Sequence, residues 1–266
     1  AVAGSNLALG IFFNQFYIIS LFKYFVRQYV KILVLDLDGT VFGNDDLSIE
    51  EISAIRKLSQ TGVRIIISTG RTLHYVLGIA RSLGIDDAVI CEEGTVLYDC
   101  KTHTKQIFGD LSDINILKQN LSQWLPSCII PKEAHHDKQI ILALDRNPRG
   151  NLDDFVEEVR SKLIEKNLNL NVTRSDEMIN ITPLGIDKGS TLQKFLNLEK
   201  INPDSVVAIG DSINDLSVFE LVGFSVAVRN ATDKLKQHAD FICTKDNGLG
   251  VCEVIEMILV NNTKYG

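Results

Sequence analysis

The segment KILVLDLDGT, residues 31–40, decides the fold of this chain. Ile32–Leu35 is an unbroken run of branched apolar residues, which is typical of a central parallel strand buried on both faces. Asp36 and Asp38 follow at its carboxyl end, where open α/β sheets bind their ligands. The alternation of a strand sends both side chains to the same side of the backbone, and Gly39 then allows a sharp turn. The sequence therefore predicts an acidic ligand site at the tip of a buried strand.

The two carboxylates point to a metal ion. Like charges that are buried together repel each other unless a cation neutralises them, and oxygen-only ligands favour Mg²⁺. The alternative interpretation of a D-x-D pattern is a strand followed by an acidic turn. The apolar strand directly before Asp36 and the glycine directly after Asp38 favour the metal site.

Two later segments place groups that can bind an anionic oxygen. Residues 64–68, RIIIS, form a second buried strand that leads into Thr69 and Gly70, where the hydroxyl can act as a donor. Lys188 lies just before a helix predicted over residues 190–198, so its ammonium can reach an anionic group held near Asp36. Taken alone, a threonine at a strand end usually caps the next helix, and such a lysine is usually a solvated charge.

A third segment, GDSIND at residues 210–215, follows an apolar strand predicted over residues 205–209. Asp211 at the strand tip and Asp215 one turn later are expected to point toward Asp36 and to complete an octahedral oxygen site with waters. Ser212 and Asn214 are better suited to orient these ligands than to bind the metal.

In chain order, DLDGT, STGR, DKGS and GDSIND resemble the four motifs of the haloacid dehalogenase superfamily of phosphotransferases, most of which are Mg²⁺-dependent phosphatases. The T-G-R form resembles the branch that carries an α/β cap after the third strand. The cap size, GDSIND and the ending ADFICTKDNGLG are most similar to the archaeal phosphoglycolate phosphatase and sugar-phosphate phosphatase group. Arg71 departs from the Asn that phosphoglycolate enzymes often have, which leaves the substrate open.

The resemblance implies a double displacement. Asp36 attacks phosphorus, while Asp38 protonates the leaving alkoxide and then activates water to hydrolyse the aspartyl phosphate. Thr69, Gly70 and Lys188 are implied to bind the phosphoryl group. The implied Mg²⁺ ligands are Asp36, Asp38, Asp211 and Asp215.

The order of predicted elements divides the chain into three parts. Residues 30–108 and 184–266 alternate strands and helices, as in a Rossmann-like parallel-sheet core. Between them, residues 109–183 give helix, strand, helix, strand and strand, a small α+β unit. The predicted fold class is therefore α/β, a Rossmann-like core with an inserted α+β cap domain. Residues 1–29 are an apolar N-terminal extension.

The cap carries basic and imidazole side chains that are candidates to contact an anionic leaving group, although each is also explained as an ordinary surface residue. They are Lys132, His135, His136, Lys138, Arg146 and Arg174. Before the cap, Glu92 and Glu93 precede a glycine, and the favoured interpretation is a solvated turn. In the resembling branch such a turn lies beside the active site, so Glu93 is also a candidate for substrate contact.

The N-terminal extension has three competing interpretations. Residues 7–22 are mostly apolar, but the run is short for a membrane span, and its charges lie on the wrong side for a signal peptide. It is a membrane-surface or tethering helix, a partner-binding helix, or translated sequence that is not part of the working protein. We favour the interpretation that this extension is not part of the working protein. Contact of residues 1–29 with a membrane is therefore possible but not favoured.

The amino-acid composition restricts the classes of molecule that this chain is expected to bind. The formal net charge of −7 over 266 residues, without a basic stripe, argues against nucleic acid and leaves a small phosphorylated metabolite. Five scattered cysteines without C-x-x-C fit reduced thiols in the cytoplasm. The expected assembly is a monomer or a homodimer. The alternatives to a phosphatase are a phosphomutase on the same core and a membrane-tethered protein without catalysis.

Overall fold

The structure, a computed structural model, describes residues 30–43, 46–130, 141–146, 150–174 and 179–262. Its strands are β1 (Ile32–Leu35), β2 (Arg64–Ser68), β3 (Ala88–Cys91), β4 (Val96–Asp99), β5 (Thr104–Ile107), β6 (Cys128–Ile129), β7 (Leu142–Arg146), β8 (Leu170–Arg174), β9 (Ile179–Pro183), β10 (Val206–Gly210), β11 (Phe224–Ala227) and β12 (Phe241–Ile242). Its helices are α1 (Ile49–Ser59), α2 (Leu73–Leu83), α3 (Ser112–Trp124), α4 (Leu152–Glu165), α5 (Lys188–Glu199), α6 (Leu216–Phe219), α7 (Asp233–Lys236) and α8 (Asn247–Asn262). Short 3₁₀ turns cover Glu92–Gly94, Pro203–Ser205 and Ile213–Asp215.

The larger sheet has the order β12-β11-β10-β1-β2-β3-β4-β5. The first six strands of this order are parallel, and β4 and β5 add an antiparallel hairpin at one edge. From β1 the chain runs outward through β2 and β3, whereas after the cap it returns to the other side of β1 as β10. The strand order therefore reverses between β1 and β10, and ligands of open α/β sheets bind at such a reversal.

The central strand is buried because helices cover both faces of the parallel sheet. None of the four residues of β1 is more than 2% exposed. Helix α1 begins with a capping box, since the Ser48 side chain accepts from the backbone N–H of Glu51 and the Glu51 carboxylate accepts from the N–H of Ser48. The predicted α/β fold class is confirmed by this architecture.

A second sheet lies within the part of the chain that the sequence assigns to the cap. Its order is β6-β7-β9-β8, and all of its pairs are antiparallel. Its apolar side chains pack with α3 and α4 in a cluster that is separate from the core of the larger sheet. The exact domain limits at residues 109 and 183 remain a prediction.

Most predicted elements form within one or two residues of their expected limits. The strands at residues 32–35 and 64–68 have the limits that the sequence predicts. Lys188 is the first residue of α5, although it was expected just before the helix. Strand β6 and the short helices α6 and α7 were not predicted, because two to four residues carry no detectable period.

The structure also bears on membrane spans and on the cysteines. None of the helices in the described ranges is long and apolar enough to cross a membrane. Residues 1–29, with their proposed membrane or partner helix, lie outside those ranges. No disulfide joins the five cysteines, all of which the structure describes.

At the end of the sheet opposite Asp36, an ion-pair network around the buried Asp87 joins three elements. Asp87, just before β3, is 5% exposed at its side chain and accepts two hydrogen bonds of 2.7 Å from Arg64, the first residue of β2. Lys101 in the β4–β5 hairpin donates to Asp87 at 2.8 Å. Burial opposes the charge, but the hydrogen bonds from Arg64 and Lys101 outweigh it and lower the pKa of Asp87 to about 2.

We expect the contribution of Asp87 to stability to disappear in acid. Because the pKa of Asp87 is lower in the folded chain than its ordinary value of 3.8, this stability is present above about pH 4 and is lost as the pH falls toward 2. The difference between the two pKa values corresponds to about 2 kcal/mol. In urea unfolding, Asp87→Asn should lower the free energy of unfolding by about this amount at pH 7, and the difference should shrink below pH 4. Asp46→Asn, at an exposed loop residue, is the control, and a loss at Asp87 that did not change with pH would contradict the assignment.

Candidate active site

The tips of three neighbouring parallel strands place the predicted site residues together. Asp36 follows β1 and is 6% exposed, and its backbone N–H donates to Ile209 of β10 at 3.1 Å. Thr69 follows β2 and is fully buried, while Asp211 follows β10. The sequence order β1, β2, cap and β10 therefore becomes a spatial cluster at the point where the sheet order reverses.

Three carboxylates converge at this point. Ligand-type oxygens of Asp36, Asp211 and Asp215 lie within 4.8 Å of one another. Asp215 is buried and accepts through Oδ2 from the backbone N–H groups of Asp211 and Ser212, at 3.1 and 3.3 Å, so the loop fixes its orientation. This is an all-oxygen donor set of the kind that hard divalent cations prefer.

Lys188 enters the cluster from the first position of α5. Its side chain is 3% exposed, and its Nζ donates to Asp36 Oδ1 and to Asp215 Oδ1, both at 2.8 Å. Burial opposes the charge of this ammonium, but the carboxylates of Asp215 and Asp36 outweigh it and raise the pKa of Lys188 well above its usual range. The lysine is therefore a fixed positive charge directly beside the predicted nucleophile.

The negative charge around Asp36 is not balanced by Lys188 alone. Three carboxylates against one ammonium leave two net negative charges. Burial, together with the charges of Asp215 and Asp211, raises the pKa of Asp36 despite Lys188. The Oδ1 atom of Asn214, next to Asp215 in the chain, is buried and has no hydrogen-bond donor among the described residues. The donor chemistry and the charge therefore fit Mg²⁺.

Asp38 lies outside the group of three carboxylates. Its side chain is 43% exposed and pairs with Arg71, which follows Thr69 and Gly70. Arg71 Nε donates to Asp38 Oδ1 and Oδ2 at 3.1 and 2.9 Å, and Nη2 donates to Oδ1 at 2.6 Å. The membership of Asp38 in the metal site remains a prediction. The sequence analysis noted Arg71 but missed this pair, for which the only local signal was the arginine itself.

The interpretation of Glu92 and Glu93 as a solvated turn is wrong. They are 1% and 6% exposed, with φ angles of 49° and 53°. Oε1 of Glu93 accepts from Asn180 in β9 at 3.4 Å and from Asn214 at 3.5 Å, and it lies against the Cα of Gly70. The turn is buried because the cap strand and two motif loops close over it. Asn180, which the sequence analysis missed, was detectable as a polar residue between the isoleucines of INIT.

Gly94 brings this turn against the start of α5. Its φ is +97°, and a Cβ there would lie 2.1 Å from the carbonyl oxygen of Asp187. Thr191 Oγ1 donates to the Gly94 carbonyl at 2.6 Å, and the Asp187 side chain caps the helix by accepting from the N–H of Ser190. The position of Lys188 therefore depends on the absence of a side chain at residue 94.

The cap residues proposed as leaving-group contacts divide into two groups. Arg174 donates to Asp153 of α4 at 2.6 Å, so the structure pairs it within the cap. The side chains of the others are not among the described parts of the structure, and of Arg146 only the backbone is described. They are Lys132, His135, His136, Lys138 and Arg146.

Comparison with known proteins gives a family for this geometry. The profile described as haloacid dehalogenase-like hydrolase matches residues 33–124 and 118–255. This chain belongs to the haloacid dehalogenase-like hydrolase family. The resemblance drawn from the four motifs is thereby confirmed, as is the prediction of a phosphoric monoester hydrolase at the level of the family.

Individual relatives match this chain over nearly their whole length. The phosphoglycolate phosphatase of Methanosarcina mazei is 32% identical over 236 residues, which are 87% of this chain and 97% of the relative. The 5-amino-6-(5-phospho-D-ribitylamino)uracil phosphatase of Bacillus subtilis is 29% identical and matches 85% of this chain and 94% of its own length. A haloacid dehalogenase-like hydrolase from Bacteroides thetaiotaomicron shares the fold, with a TM-score of 0.73 and 21% identity over 86% of this chain and 99% of its own.

We expect Gly94→Ala to damage both stability and turnover, because the methyl group would displace the Asp187 carbonyl and with it Lys188. A strained φ together with a backbone clash should lower the free energy of unfolding by about 2 kcal/mol or more. Gly78→Ala is the matched control, since Gly78 lies in α2 and a Cβ there would meet no other atom within 4 Å, and it should be neutral or stabilising by roughly 0.5–1 kcal/mol. Equal effects of the two changes in urea unfolding would show that the turn does not support Lys188.

Proposed function

We propose that this chain is a Mg²⁺-dependent phosphatase that hydrolyses a small phosphomonoester through an aspartyl-phosphate intermediate. The observation that carries the proposal is the placement of Asp36, buried at the sheet reversal and bonded to Lys188 at 2.8 Å. A nucleophilic carboxylate needs a rigid position and a nearby positive charge that receives the phosphoryl oxygens. The tip of β1 provides the position, and Lys188 provides the charge.

In the first half-reaction, a carboxylate oxygen of Asp36 forms a bond to phosphorus while the bond from phosphorus to the ester oxygen breaks. Asp38 donates its proton to that oxygen, and the alcohol leaves. The Thr69 hydroxyl, the Gly70 N–H and the Lys188 ammonium stabilise the equatorial oxygens. Mg²⁺ held by Asp36, Asp211 and Asp215 would supply further neutralisation of the phosphoryl charge.

In the second half-reaction, Asp38 accepts a proton from a water molecule, whose oxygen attacks phosphorus and breaks the bond to Asp36. Inorganic phosphate leaves, and both aspartates return to their starting states. Asp38 serves both steps because it lies two residues from Asp36, on the neighbouring turn rather than in the carboxylate group. The same residue thus acts first as an acid and then as a base.

The substrate class is part of the proposal. The names of the relatives point to phosphoglycolate in one case and to a phosphorylated ribityl compound in the other. We propose phosphoglycolate or a sugar phosphate, in the cytoplasm, with the enzyme as a monomer or a homodimer. Release of inorganic phosphate from either monoester distinguishes this hydrolase from a phosphomutase, which returns the phosphoryl group to the sugar.

The two aspartates of the first motif should fail in different ways. Asp36→Asn removes the nucleophile, so no acid-stable, hydroxylamine-sensitive phosphoenzyme should form with labelled substrate. Asp38→Asn keeps the nucleophile, but it should slow both half-reactions by roughly 10²–10⁴. With an aryl phosphate, whose leaving group needs no proton, the first step should recover more than the second, and phosphoenzyme should accumulate. A phosphoenzyme in Asp36→Asn and none in Asp38→Asn would reverse the two roles.

We expect the Mg²⁺ requirement of the activity to change when Asp211 is substituted. Asp211→Asn removes one of three converging carboxylates, so the Mg²⁺ concentration for half-maximal activity should rise by roughly tenfold or more, or turnover should be lost. Asp46→Asn is again the control, because Asp46 is exposed in the loop before α1. The measurement is the rate of phosphate release against Mg²⁺ concentration. Equal sensitivity of the two variants would place the metal elsewhere.

A further inference from the structure

The turn at the tip of β1 depends on Gly39, whose φ of +78° lies in the left-handed region that favours glycine. Two hydrogen bonds hold this turn from within. The N–H of Gly39 donates to the carbonyl of Phe42 at 2.8 Å, and the N–H of Thr40 donates to the carbonyl of Leu37 at 3.2 Å. The carbonyl of Gly39 is held from outside the turn, because the Asn230 side chain donates to it at 2.8 Å from 191 positions along the chain.

The carboxamide of Asn230 is bonded at both of its ends. Its Oδ1 accepts from the backbone N–H of Asn247 at 2.7 Å, while its Nδ2 donates to Gly39. A backbone N–H can only donate, so the bond from Asn247 fixes which end of the carboxamide faces the turn. Asn247 itself has a φ of 45°, a costly conformation that persists only where the surrounding structure imposes it. The donor of Asn230 is therefore directed at Gly39.

The backbone around Asn230 is fixed as well. The Arg229 guanidinium pairs with Asp246, with Nε donating to Oδ1 at 2.7 Å. On the other side, the N–H of Thr232 donates to the carbonyl of Asp211 at 2.8 Å. This segment therefore joins the residue before α8 to the tip of β10, and the side chain of Asn230 extends from it to the turn at the tip of β1.

The direction of Asp38 depends on this turn. Asp38 directly precedes Gly39, and its side chain is 43% exposed, so buried neighbours do not fix it as they fix Asp36. A general acid has to lie within hydrogen-bond distance of the ester oxygen, and a misplacement of about 1 Å can cost roughly 10²-fold in rate. The backbone of the turn sets the point from which the Asp38 carboxylate reaches the substrate.

We propose that Asn230 is a positioning residue for Asp38. It fixes the peptide group that follows Gly39, so that the carboxylate meets first the ester oxygen and later the attacking water from one position. The inference rests on the proposed phosphatase mechanism and adds to it a residue outside the four motifs. Because Asn230 acts through the carbonyl of Gly39, its loss should impair acid–base catalysis while metal binding and substrate binding remain.

Two variants separate the donor from the rest of the side chain. Asn230→Ala removes both hydrogen bonds, whereas Asn230→Asp keeps the acceptor for Asn247 and loses the donor to Gly39. The assay uses the full chain with Mg²⁺ and the alkyl monoesters phosphoglycolate and ribitol 5-phosphate. For each monoester that the wild-type chain hydrolyses, both variants should lower kcat by roughly tenfold. The KM and the Mg²⁺ concentration for half-maximal activity should change by less than about twofold.

A second substrate tests the connection to Asp38. With 4-nitrophenyl phosphate, whose leaving group needs no proton, phosphoenzyme should form in a rapid-quench experiment at a rate within about twofold of the wild-type rate. Its hydrolysis, which still needs Asp38 as a base, should slow by roughly tenfold, so phosphoenzyme should accumulate. A residue that only supports the fold would slow both steps alike.

Asn120→Ala is the matched control, because the Asn120 side chain also donates to a backbone carbonyl, that of Ile116 in α3, at 2.9 Å. It should leave all of these values unchanged. Equal slowing of both steps with the aryl phosphate would overturn the inference, as would wild-type kcat in Asn230→Asp or a rise in the Mg²⁺ requirement as large as the fall in kcat.

Failure of the proposed function would look different, since the wild-type chain would then release phosphate from none of the three substrates. Should Asn230→Ala not fold, Asn230→Asp decides the question, because it retains the bond to Asn247.

Discussion

The ammonium of Lys188, placed between Asp36 and Asp215, is the interaction on which the rest of the site depends. Three carboxylates cannot converge in a buried position without positive charge nearby, and Lys188 is the cation that the chain itself provides. Asp36 lies 152 positions away in sequence and Asp215 lies 27 positions away. The contact therefore fixes the first strand, the strand after the cap and the helix that follows the cap with respect to one another.

The start of α5 is held in place by several independent contacts. The Asp187 side chain caps the helix, and Thr191 donates to the carbonyl of Gly94 in the turn after β3. Gly189 lies so close to Ser217 that a Cβ would come within 2.2 Å of its carbonyl oxygen. An arrangement that holds one charge from three sides is preorganised, and preorganised charge is the main means by which enzymes stabilise phosphoryl transfer.

The features that depend on a local sequence pattern were predicted correctly. Continuous apolar runs identified β1, β2 and β10, because each signal lies within a few residues. It also identified Asp36, Lys188, Asp211 and Asp215, which the structure brings together. What it could not show was the partner of a side chain far along the chain. Glu93 was expected in solvent, yet Asn180, 87 positions later, closes over it. The pairing of Asp38 with Arg71 was not predicted either.

The buried turn at Glu93 connects the predicted cap to Lys188 and its carboxylate partners more directly than the domain order suggests. Asn180 lies in β9, the strand through which the chain leaves the cap, and only five positions separate the end of that strand at Pro183 from Lys188. The other cap connection passes Gly109, where a side chain would collide with the ring of Pro183. Both connections therefore meet beside the start of α5. A displacement of the second sheet has to pass through residues that also hold Lys188, so the position of that sheet and the charge beside Asp36 are properties of one connected structure.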